Sequence, residues 1–388
     1  MIRNLRASVR TRLAISIPAF WRRYVAPFAD ESIRRRSVDV EEVEQLPGLS
    51  CQVLRTSHFE PAATEIHCVD AENVEANREV LVRPYRASQT LLQTLITAEK
   101  VRVSLPSGTA STHGKFIVDT YPSYDVLRNP KYLLSQALHG VGRAAGTHRS
   151  GFFLYPPWSH NFYHWMIDVL PRAAIYLESE LPQQGVPIVI FDGANGFVRE
   201  SLSLVVPDHQ ILALPPGQHV FDTMWLPGRL APYFDIPDST RAFYQERVLP
   251  SLGPGPRSSP NPRRLYISRA DAASRGIQNE EELVEVLERH GFVRVIMSDY
   301  TVAEQARLFA GAEFVIGPHG AAFSNLIYCR AGTKLIEIFK EGFINQCFYR
   351  LADRLGLTYG FHCGPSVGLG TLVEARRVEA LIDELDDV

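Results

Sequence analysis

The sequence lacks several signatures that would assign a function directly. Its five cysteines are scattered and form no CxxC pair, which argues against both a disulfide framework and a structural zinc ribbon. It has no run of about 18 apolar residues, so we do not expect a membrane-spanning helix. The formal net charge of -3 gives no reason to expect nucleic acid as a partner. The scattered cysteines fit a protein of a reducing compartment.

Common nucleotide-binding motifs are also missing. The chain contains neither GxGxxG nor GxxxxGK[ST], which disfavours a standard dinucleotide site and a P-loop. No two Asp residues stand at positions i and i+2, so the DxD pattern with which many sugar-nucleotide transferases hold a divalent metal is absent. If the protein binds a diphosphate, arginines and a helix N-terminus would have to neutralise it.

The length of 388 residues predicts two domains, because one hydrophobic core rarely keeps growing at this size. Residues 1–45 form a basic arm, with nine Arg among the first 36 residues against Asp30 and Glu31. Three interpretations stay open for it: a segment that binds an anionic membrane surface, a flexible or core-docked arm, and an organelle transit peptide. The expected location is the cytoplasm, or the inner face of a membrane if the arm binds lipid.

Residues 46–252 are predicted as the first domain. They begin with a small β-rich lead-in, in which "VRVSLPSG" and "GKFIVDTYP" read as two strands joined by the turn "SGTASTHG". From residue 151 onwards short apolar runs alternate with amphipathic ones, including a helix over residues 160 to about 179. Residues 253–262, "GPGPRSSPNP", are predicted as a linker, because four prolines and two glycines in ten residues cannot sustain a helix or central strand.

Residues 263–388 are predicted as a second domain. Its strands alternate with helices of 10 to 15 residues, which indicates a parallel, doubly wound α/β sheet. Asn279 with Glu282, and Thr301 with Glu304, each predict a helix start. The last helix, with Val378 on its apolar face, is expected to pack back across the domain junction.

In a doubly wound sheet, ligands bind beyond the carboxyl ends of the strands. Arg269 ends one strand in "YISR" and Arg275 lies in the loop after it. Two guanidiniums there can hold a diphosphate, although surface arginines in a flexible loop remain an alternative.

A second predicted strand of this sheet runs into the stretch "GPHGAAFSNL" at its carboxyl end. Gly317 and Gly320 would let the backbone turn, His319 lies at the turn, and Asn325 follows one turn into a helix whose N–H groups could face an anion. Glu337, inside the apolar strand "LIEIF", needs partners if it is buried. Ribose hydroxyls and a structural salt bridge are equally good candidates.

The stretch "SHNFYHWMIDVLPR", residues 159 to 172, spaces His160, His164, Asp168 and Arg172 four apart. On a helix they form one stripe of titratable groups. A zinc site is disfavoured because "HNFYH" lacks the Glu of HExxH. A structural helix face and acid/base chemistry both stay open, since His titrates near neutral pH and a nearby carboxylate can orient it. Pro171 should bend or end the helix near residues 167 to 170.

The ordered set "NFYHWMIDVLPR", "YISR", "GPHGAAFSNLIY" and "AGTKLIEIF" resembles glycosyltransferase family 61, whose bacterial members are often labelled capsular polysaccharide biosynthesis proteins. The resemblance covers residues 105 to about 365. It implies a GT-B architecture of two Rossmann-like domains that face a cleft. It also implies inverting, metal-independent transfer from a nucleotide sugar, usually a UDP-sugar, to a glycan or lipid-linked glycan, with no further cofactor.

The resemblance also assigns roles to residues. Arg269 and Arg275 would contact the diphosphate, and Glu337 would hold the ribose. Four residues would line the nucleotide and sugar pocket: His319, Gly320, Ala321 and Asn325. On the facing domain the family pattern matches at Asn161, His164 and Asp168, with Pro171 one position early, whereas His160 lies outside it.

We expect His164 to deprotonate the acceptor hydroxyl, with Asp168 orienting it and Asp168 itself as the alternative base. Asn161 and His160 are expected to contact the acceptor or support the site. Three rival functions stay open: a sugar-nucleotide epimerase of similar architecture, a catalytically inactive GT-B module that binds a glycan or partner, and a zinc hydrolase.

Overall fold

A computed structural model describes residues 37–38, 47–59, 65–68, 89–118, 120–121, 143–230, 234–253, 262–272 and 274–387. Most of the predicted basic arm and residues 254–261 of the predicted linker therefore lie outside the described residues. The described part is mixed α/β and holds two large sheets, which is compatible with the Rossmann-like fold expected from the sequence. No helix in it is long and apolar enough to cross a membrane.

The first sheet combines antiparallel and parallel pairs in the order β1-β6-β5-β4-β10-β7-β8-β9, with β2 paired to β4. Strands β10, β7, β8 and β9 are parallel neighbours, whereas β4 runs antiparallel to β10, β2 and β5. The bounds are β1 Ser37–Val38, β2 Leu49–Phe59, β4 Gln89–Leu105, β5 Thr109–Thr112, β6 Lys115–Ile117, β7 Gly146–Phe153, β8 Ile188–Phe191, β9 Ile211–Leu214 and β10 Gly217–Pro227.

The second sheet runs in the order β12-β11-β13-β14-β15-β3, and all of its pairs are parallel. This agrees with the predicted doubly wound pattern. The bounds are β3 Ile66–His67, β11 Arg264–Ser268, β12 Val293–Ile296, β13 Phe314–Pro318, β14 Lys334–Lys340 and β15 Thr358–Gly364, followed by a small hairpin of β16 Ser366–Val367 and β17 Gly370–Thr371.

Helices connect the strands and cover the sheets. The α-helical elements are α1, which starts at Phe162–His164 and ends at Ala173–Leu177, α2 Gly196–Ser203, α3, which starts at Asp238–Phe243 and ends at Leu249–Ser251, α4 Glu280–Arg289, α5 Val302–Gly311, α6 Cys347–Leu355 and α7 Ala375–Asp386. Short 3₁₀ segments lie at Asp208–Gln210 and Met297–Asp299, and a longer one at Ala321–Tyr328.

The lead-in differs from the prediction in one respect. The Ser/Thr-rich stretch that was expected to be only a turn contains a strand, β5, whose four residues are buried. Its polar side chains find partners there: the Thr112 hydroxyl donates to the Glu99 carbonyl over 2.8 Å. Buried hydroxyls are tolerated when they are hydrogen-bonded, so composition alone is a poor guide to this strand.

Helix α1 changes its winding along its length. The segment Trp165–Val169 is a π-helix and Leu170–Arg172 is a 3₁₀ turn. Pro171 has no N–H to continue the hydrogen-bond ladder, and the distortion predicted near residues 167 to 170 is present, as a change of winding. Helix α3 repeats the pattern, because the π-helix Tyr244–Val248 directly precedes Leu249 and Pro250. Both places carry the sequence Val-Leu-Pro.

The two predicted helix starts behave differently. Thr301 and Glu304 form the full capping box at the start of α5. Asn279 makes no capping hydrogen bond to α4. Its amide instead pairs with the backbone of Val373, donating to the carbonyl over 2.8 Å and accepting from the N–H over 3.0 Å. That side chain therefore ties α4 to the segment before α7.

The last helix and an early strand bind to the second sheet. The buried face of α7, which includes Val378 and Leu381, belongs to a cluster with α4 and the second sheet. The expected packing of this helix across the domain junction stays a prediction. Strand β3 pairs with β15 although it precedes the first sheet's long strand β4 in sequence, and His67 bonds Glu384 of α7 over 2.9 Å.

The two sheets share one continuous hydrophobic core. Helix α1 packs on the 3₁₀ helix Ala321–Tyr328, and α2 packs on α5. Polar contacts reinforce the junction: Asp235 accepts from Arg350 over 3.1 Å, and Glu200 accepts from the N–H of Val302 over 3.0 Å. The carboxyl ends of β11, β13 and β14 lie near this junction, which is where the candidate site forms.

Candidate active site

The first turn of α1 is organised by Asn161. Its side-chain oxygen accepts from the N–H groups of Tyr163 and His164, over 2.9 and 3.3 Å, which is the N-cap arrangement. Asn161 and His160 are both exposed. The structure therefore gives Asn161 a supporting role under His164, within the set of roles expected for it.

His164 lies on this turn and is partly buried. Its ring packs against Trp158, with ring centroids 4.7 Å apart, and against Tyr163 at 5.4 Å. Burial lowers the pKa of His164 to about 4, against the charge of Asp168, which raises it. At neutral pH the imidazole is uncharged, so it has a free nitrogen lone pair that can accept a proton.

Asp168 is occupied by structural contacts. It is 2% exposed, one carboxylate oxygen pairs with Arg172, and the other accepts from the N–H of Leu230 over 2.7 Å. Arg172 also donates to the carbonyls of Thr120 and Pro227, over 2.8 and 3.2 Å. This network ties α1 to the first sheet. It does not fit the expectation that Asp168 is the alternative base, because a base needs an accessible oxygen.

Two arginines meet at the carboxyl edge of the second sheet. Arg269 follows β11 and donates to the Ser274 carbonyl over 3.3 and 3.2 Å. Burial, with a smaller contribution from Arg275, lowers the pKa of Arg269. No carboxylate among the described residues forms an ion pair with either guanidinium. Two partly buried cations without such a partner favour an anionic ligand.

Arg275 is held in an unusual conformation. Its backbone has a φ of 63°, a left-handed value that costs a non-glycine residue roughly 1–2 kcal/mol. The backbone N–H donates to the Leu369 carbonyl over 2.7 Å, which fixes this conformation. The guanidinium carbon lies 5.3 Å from the centroid of the Phe343 ring, and burial lowers the pKa of Arg275.

The two glycines of "GPHG" lie so close to neighbouring groups that a side chain would not fit at either position. A Cβ at Gly320 would clash with a guanidinium nitrogen of Arg269, and a Cβ at Gly317 would lie 2.7 Å from the Ile267 carbonyl oxygen. Gly320 has a φ of -174°, which any residue can adopt. The tight-turn explanation from the sequence is therefore wrong for Gly320, where the nearby arginine replaces it. It is also wrong for Gly317, which lies within strand β13 and has no left-handed φ.

The segment after this turn only partly matches the prediction. Ala321 is partly exposed and opens the 3₁₀ helix Ala321–Tyr328, so it can line the site. Asn325 is fully buried, and its amide donates to Gln305 over 2.9 Å and to the Ala322 carbonyl over 3.0 Å. Asn325 holds this helix to α5 and is 0% exposed, which does not fit the expectation that it lines the pocket.

His319 is part of a buried polar chain. Its Nδ1 lies 2.5 Å from one carboxylate oxygen of Glu337, and the hydroxyl of Tyr359 donates to the other oxygen over 2.7 Å. Glu337 is 0% exposed, so direct contact with a ribose does not fit this arrangement. Glu337 instead fixes the His319 ring. The other ring nitrogen, Nε2, has no hydrogen-bond partner among the described residues.

Aromatic rings connect the two halves of the site. Phe348 packs 5.2 Å from His319 on one side and 5.6 Å from Tyr163 on the other. Tyr163 is in turn the neighbour of His164. The structure thus brings His164 of the first half to the same junction as His319, Arg269 and Arg275.

Sequence reasoning missed four aromatic members of this site: Tyr163, Phe343, Phe348 and Tyr359. Phe343 could have been found, because it follows β14 in "KEGF" and so lies at the same carboxyl edge as His319. The others depend on contacts between distant segments.

The metal hypothesis for the stripe gains no support from the geometry. Asp168, the carboxylate of the stripe, is paired with Arg172. Across the part of the chain that the structure describes, no three His, Cys, Asp or Glu side chains converge as a metal site would require.

Comparison with known proteins finds one matching family and one similar curated protein. Residues 162–336 match the sequence family Glycosyltransferase 61, a range that includes His164, both arginines and His319. A similar curated protein is Xylan glycosyltransferase MUCI21 of Arabidopsis thaliana, which is 31% identical over 109 residues; the match covers 26% of this chain and 22% of the relative. Both the matched family and the similar protein are named as glycosyltransferases. The resemblance drawn from the sequence motifs is confirmed to this extent: residues 162–336 match the Glycosyltransferase 61 family model.

Proposed function

We propose that this protein transfers a sugar from a nucleotide sugar, with a UDP-sugar as the first candidate, to a glycan hydroxyl. The observation that carries this proposal is the pair of partly buried arginines, Arg269 and Arg275, beside His319 at one sheet edge. A diphosphate would supply the anionic partner that these two guanidiniums lack among the described residues. In the proposed transfer the configuration at the anomeric carbon is inverted. The transfer needs no metal ion, because the arginines stabilise the leaving group.

In the donor site, Arg269 and Arg275 bind the diphosphate oxygens. The position of Arg269 depends on the missing side chain of Gly320. His319 presents Nε2 to the donor, since Glu337 occupies Nδ1. The backbone of the His319-Gly320-Ala321 turn completes this side of the site.

His164 is the proposed base. It is uncharged at neutral pH because burial lowers its pKa to about 4. In the transfer step His164 takes the proton of the acceptor hydroxyl, and the hydroxyl oxygen forms a bond to the anomeric carbon. The bond from that carbon to the diphosphate oxygen breaks, and its electron pair stays on the diphosphate.

A GT-B arrangement is part of the proposal. The donor residues belong to the second sheet and the base belongs to a helix of the first, so the acceptor would enter where the two halves meet. The contact of Phe348 with both Tyr163 and His319 supports this assignment of sides.

The test combines binding and transfer. We expect UDP to stabilise the purified protein against heat in the presence of EDTA, and Arg275→Ala to remove the stabilisation. Arg330→Ala is the matched control, because Arg330 is exposed and precedes the amino end of β14. Transfer is then assayed with a panel of UDP-sugars and glycan acceptors that includes xylan oligosaccharides, chosen because of the similar plant protein.

The outcomes separate the alternatives. Transfer that His164→Ala reduces by about a hundredfold or more, with UDP binding intact, supports the proposal. UDP binding without transfer to any acceptor indicates an inactive binding module, and interconversion of the UDP-sugars without an acceptor indicates an epimerase. Stabilisation that depends on added metal contradicts the metal-independent mechanism.

A further inference from the structure

Phe343 is a large apolar side chain exposed inside the candidate site. It is 38% exposed and follows Gly342, which has a φ of 77° in the tight turn after β14. The Phe343 N–H donates to the Lys340 carbonyl over 3.0 Å, so the turn fixes where the ring stands. The ring is therefore held at a set position with part of its surface open.

Two neighbours confine the ring on its protein side. The Arg275 guanidinium lies over it at 5.3 Å, and the His319 ring meets it edge-on at 5.4 Å. Both neighbours belong to the proposed donor site, and Arg275 reaches this position through a left-handed backbone. An exposed aromatic ring beside a diphosphate-binding arginine is suited to hold a flat ring of the same ligand.

The arrangement of rings around His319 indicates which part of the donor this would be. Phe348 lies on the side of His319 that leads to Tyr163 and His164, where the sugar must meet the acceptor. Phe343 contacts His319 and Arg275 instead, on the side that opens to solvent. A nucleotide sugar that spans the site puts its sugar towards His164 and its nucleobase at the opposite end.

We infer that Phe343 is the stacking platform for the nucleobase of the donor, an inference that rests on the proposed function. The base lies against the open surface of the ring, while Arg275 binds the adjoining diphosphate. Phe343 contributes affinity through the base and Arg275 contributes affinity through the phosphates.

The experiment measures, by calorimetry, the binding of UDP, GDP, ADP, a UDP-sugar and inorganic diphosphate to the full chain. We expect Phe343→Ala to weaken binding of the preferred nucleoside diphosphate about tenfold and to leave inorganic diphosphate binding unchanged. Phe343→Tyr keeps the ring and should bind like the wild type. Val293→Ala is the matched control, since it removes an exposed apolar side chain, 47% exposed, at the amino end of β12, away from the carboxyl edge that forms the site.

Three results would overturn the inference alone: unchanged nucleotide binding by Phe343→Ala, equal loss of inorganic diphosphate, or a loss seen only with the sugar-linked nucleotide. The second would mean that the ring only supports Arg275, and the third that it holds the sugar. If the wild type binds no nucleoside diphosphate, the proposed function fails, and this inference fails with it.

Discussion

The hydroxyl of Tyr244 donates a hydrogen bond to the main-chain carbonyl of Met166. In the π-helix Trp165–Val169, the N–H of Leu170 bonds the carbonyl of Trp165, so the next amide in the series would serve Met166. That amide belongs to Pro171, which has no hydrogen to donate. Tyr244, itself the first residue of the other π-helix, replaces the missing partner.

Tyr244→Phe should therefore destabilise the protein by about 1–3 kcal/mol, because it leaves a buried carbonyl without a partner. In a Pro171→Ala background the restored amide can serve Met166, and the same substitution should cost clearly less. Urea unfolding of the four variants of this double-mutant cycle measures the coupling. Strictly additive effects would show that Pro171 and Tyr244 are independent.

Asp168→Asn should cost about 3 kcal/mol or more, because it leaves the charge of Arg172 buried and unpaired. Replacing both residues, as Asp168→Leu with Arg172→Met, should cost less than the single change. Unfolding free energies of the two variants decide this. If Asp168→Asn keeps wild-type stability and loses only turnover, Asp168 has a catalytic role after all.

The pKa of His164 predicts an acid-sensitive fold. The imidazole titrates at about 4 in the folded protein against an ordinary 6.5, so the unfolded chain takes up the proton first as the pH falls. The stability contribution of the neutral ring is complete above pH 6.5 and is lost between about pH 6.5 and 4. His164→Asn should show a smaller drop in unfolding free energy between pH 7 and 4.5.

The same titration bears on activity. If His164 is the base, the acid limb of kcat/KM should lie well below pH 6, because the ring stays unprotonated there. Burial is the main cause of the lowered pKa of His164; among nearby charges, Asp168 raises the pKa, and His160 and Arg172 lower it. An acid limb centred near pH 6.5 would count against His164.

Gly320→Ala should weaken diphosphate binding roughly tenfold, because the new methyl group displaces the Arg269 guanidinium. The fold should survive, since the displaced atoms are the end of a flexible side chain. Gly196→Ala is the matched control, as its Cβ would meet nothing closer than 3.5 Å, at Glu200. Unchanged binding of inorganic diphosphate by Gly320→Ala would show that Arg269 does not contact it.

Glu337 and Tyr359 should act through His319. We expect Glu337→Gln to lower transfer more than tenfold and Tyr359→Phe to lower it less, because Tyr359 secures only one oxygen of the carboxylate. Steady-state kinetics and UDP binding of both variants test this. A direct ribose contact predicts otherwise: Glu337→Gln would lose UDP affinity, and Tyr359→Phe would be neutral.

Local rules predicted much of the fold and located most of the site. The capping box at Thr301 and the strand-ending positions of Arg269 and His319 follow from short-range patterns. The spacing of Asp168 and Arg172 also permits an i,i+4 ion pair; the expectation that Asp168 takes part in the chemistry comes from its match to the family pattern.

The remaining features depend on contacts between segments that are far apart in sequence. The pairing of Glu337 with His319 joins residues on neighbouring strands, and the burial of Asn325 against Gln305 follows from the packing of two helices. The partners of each contact are 18 and 20 residues apart in the sequence, so no local sequence pattern predicts either contact. For the same reason the sequence could not distinguish a ribose contact from support of His319.

Strand β3 makes the second sheet dependent on the start of the chain. Ile66 and His67 cover the edge of β15, and His67 also holds α7 through Glu384. A fragment that begins at residue 263 would expose the backbone of β15 along this edge, where another chain can add as a strand. We therefore expect a fragment that contains only the second sheet to self-associate unless it also includes residues 65–68.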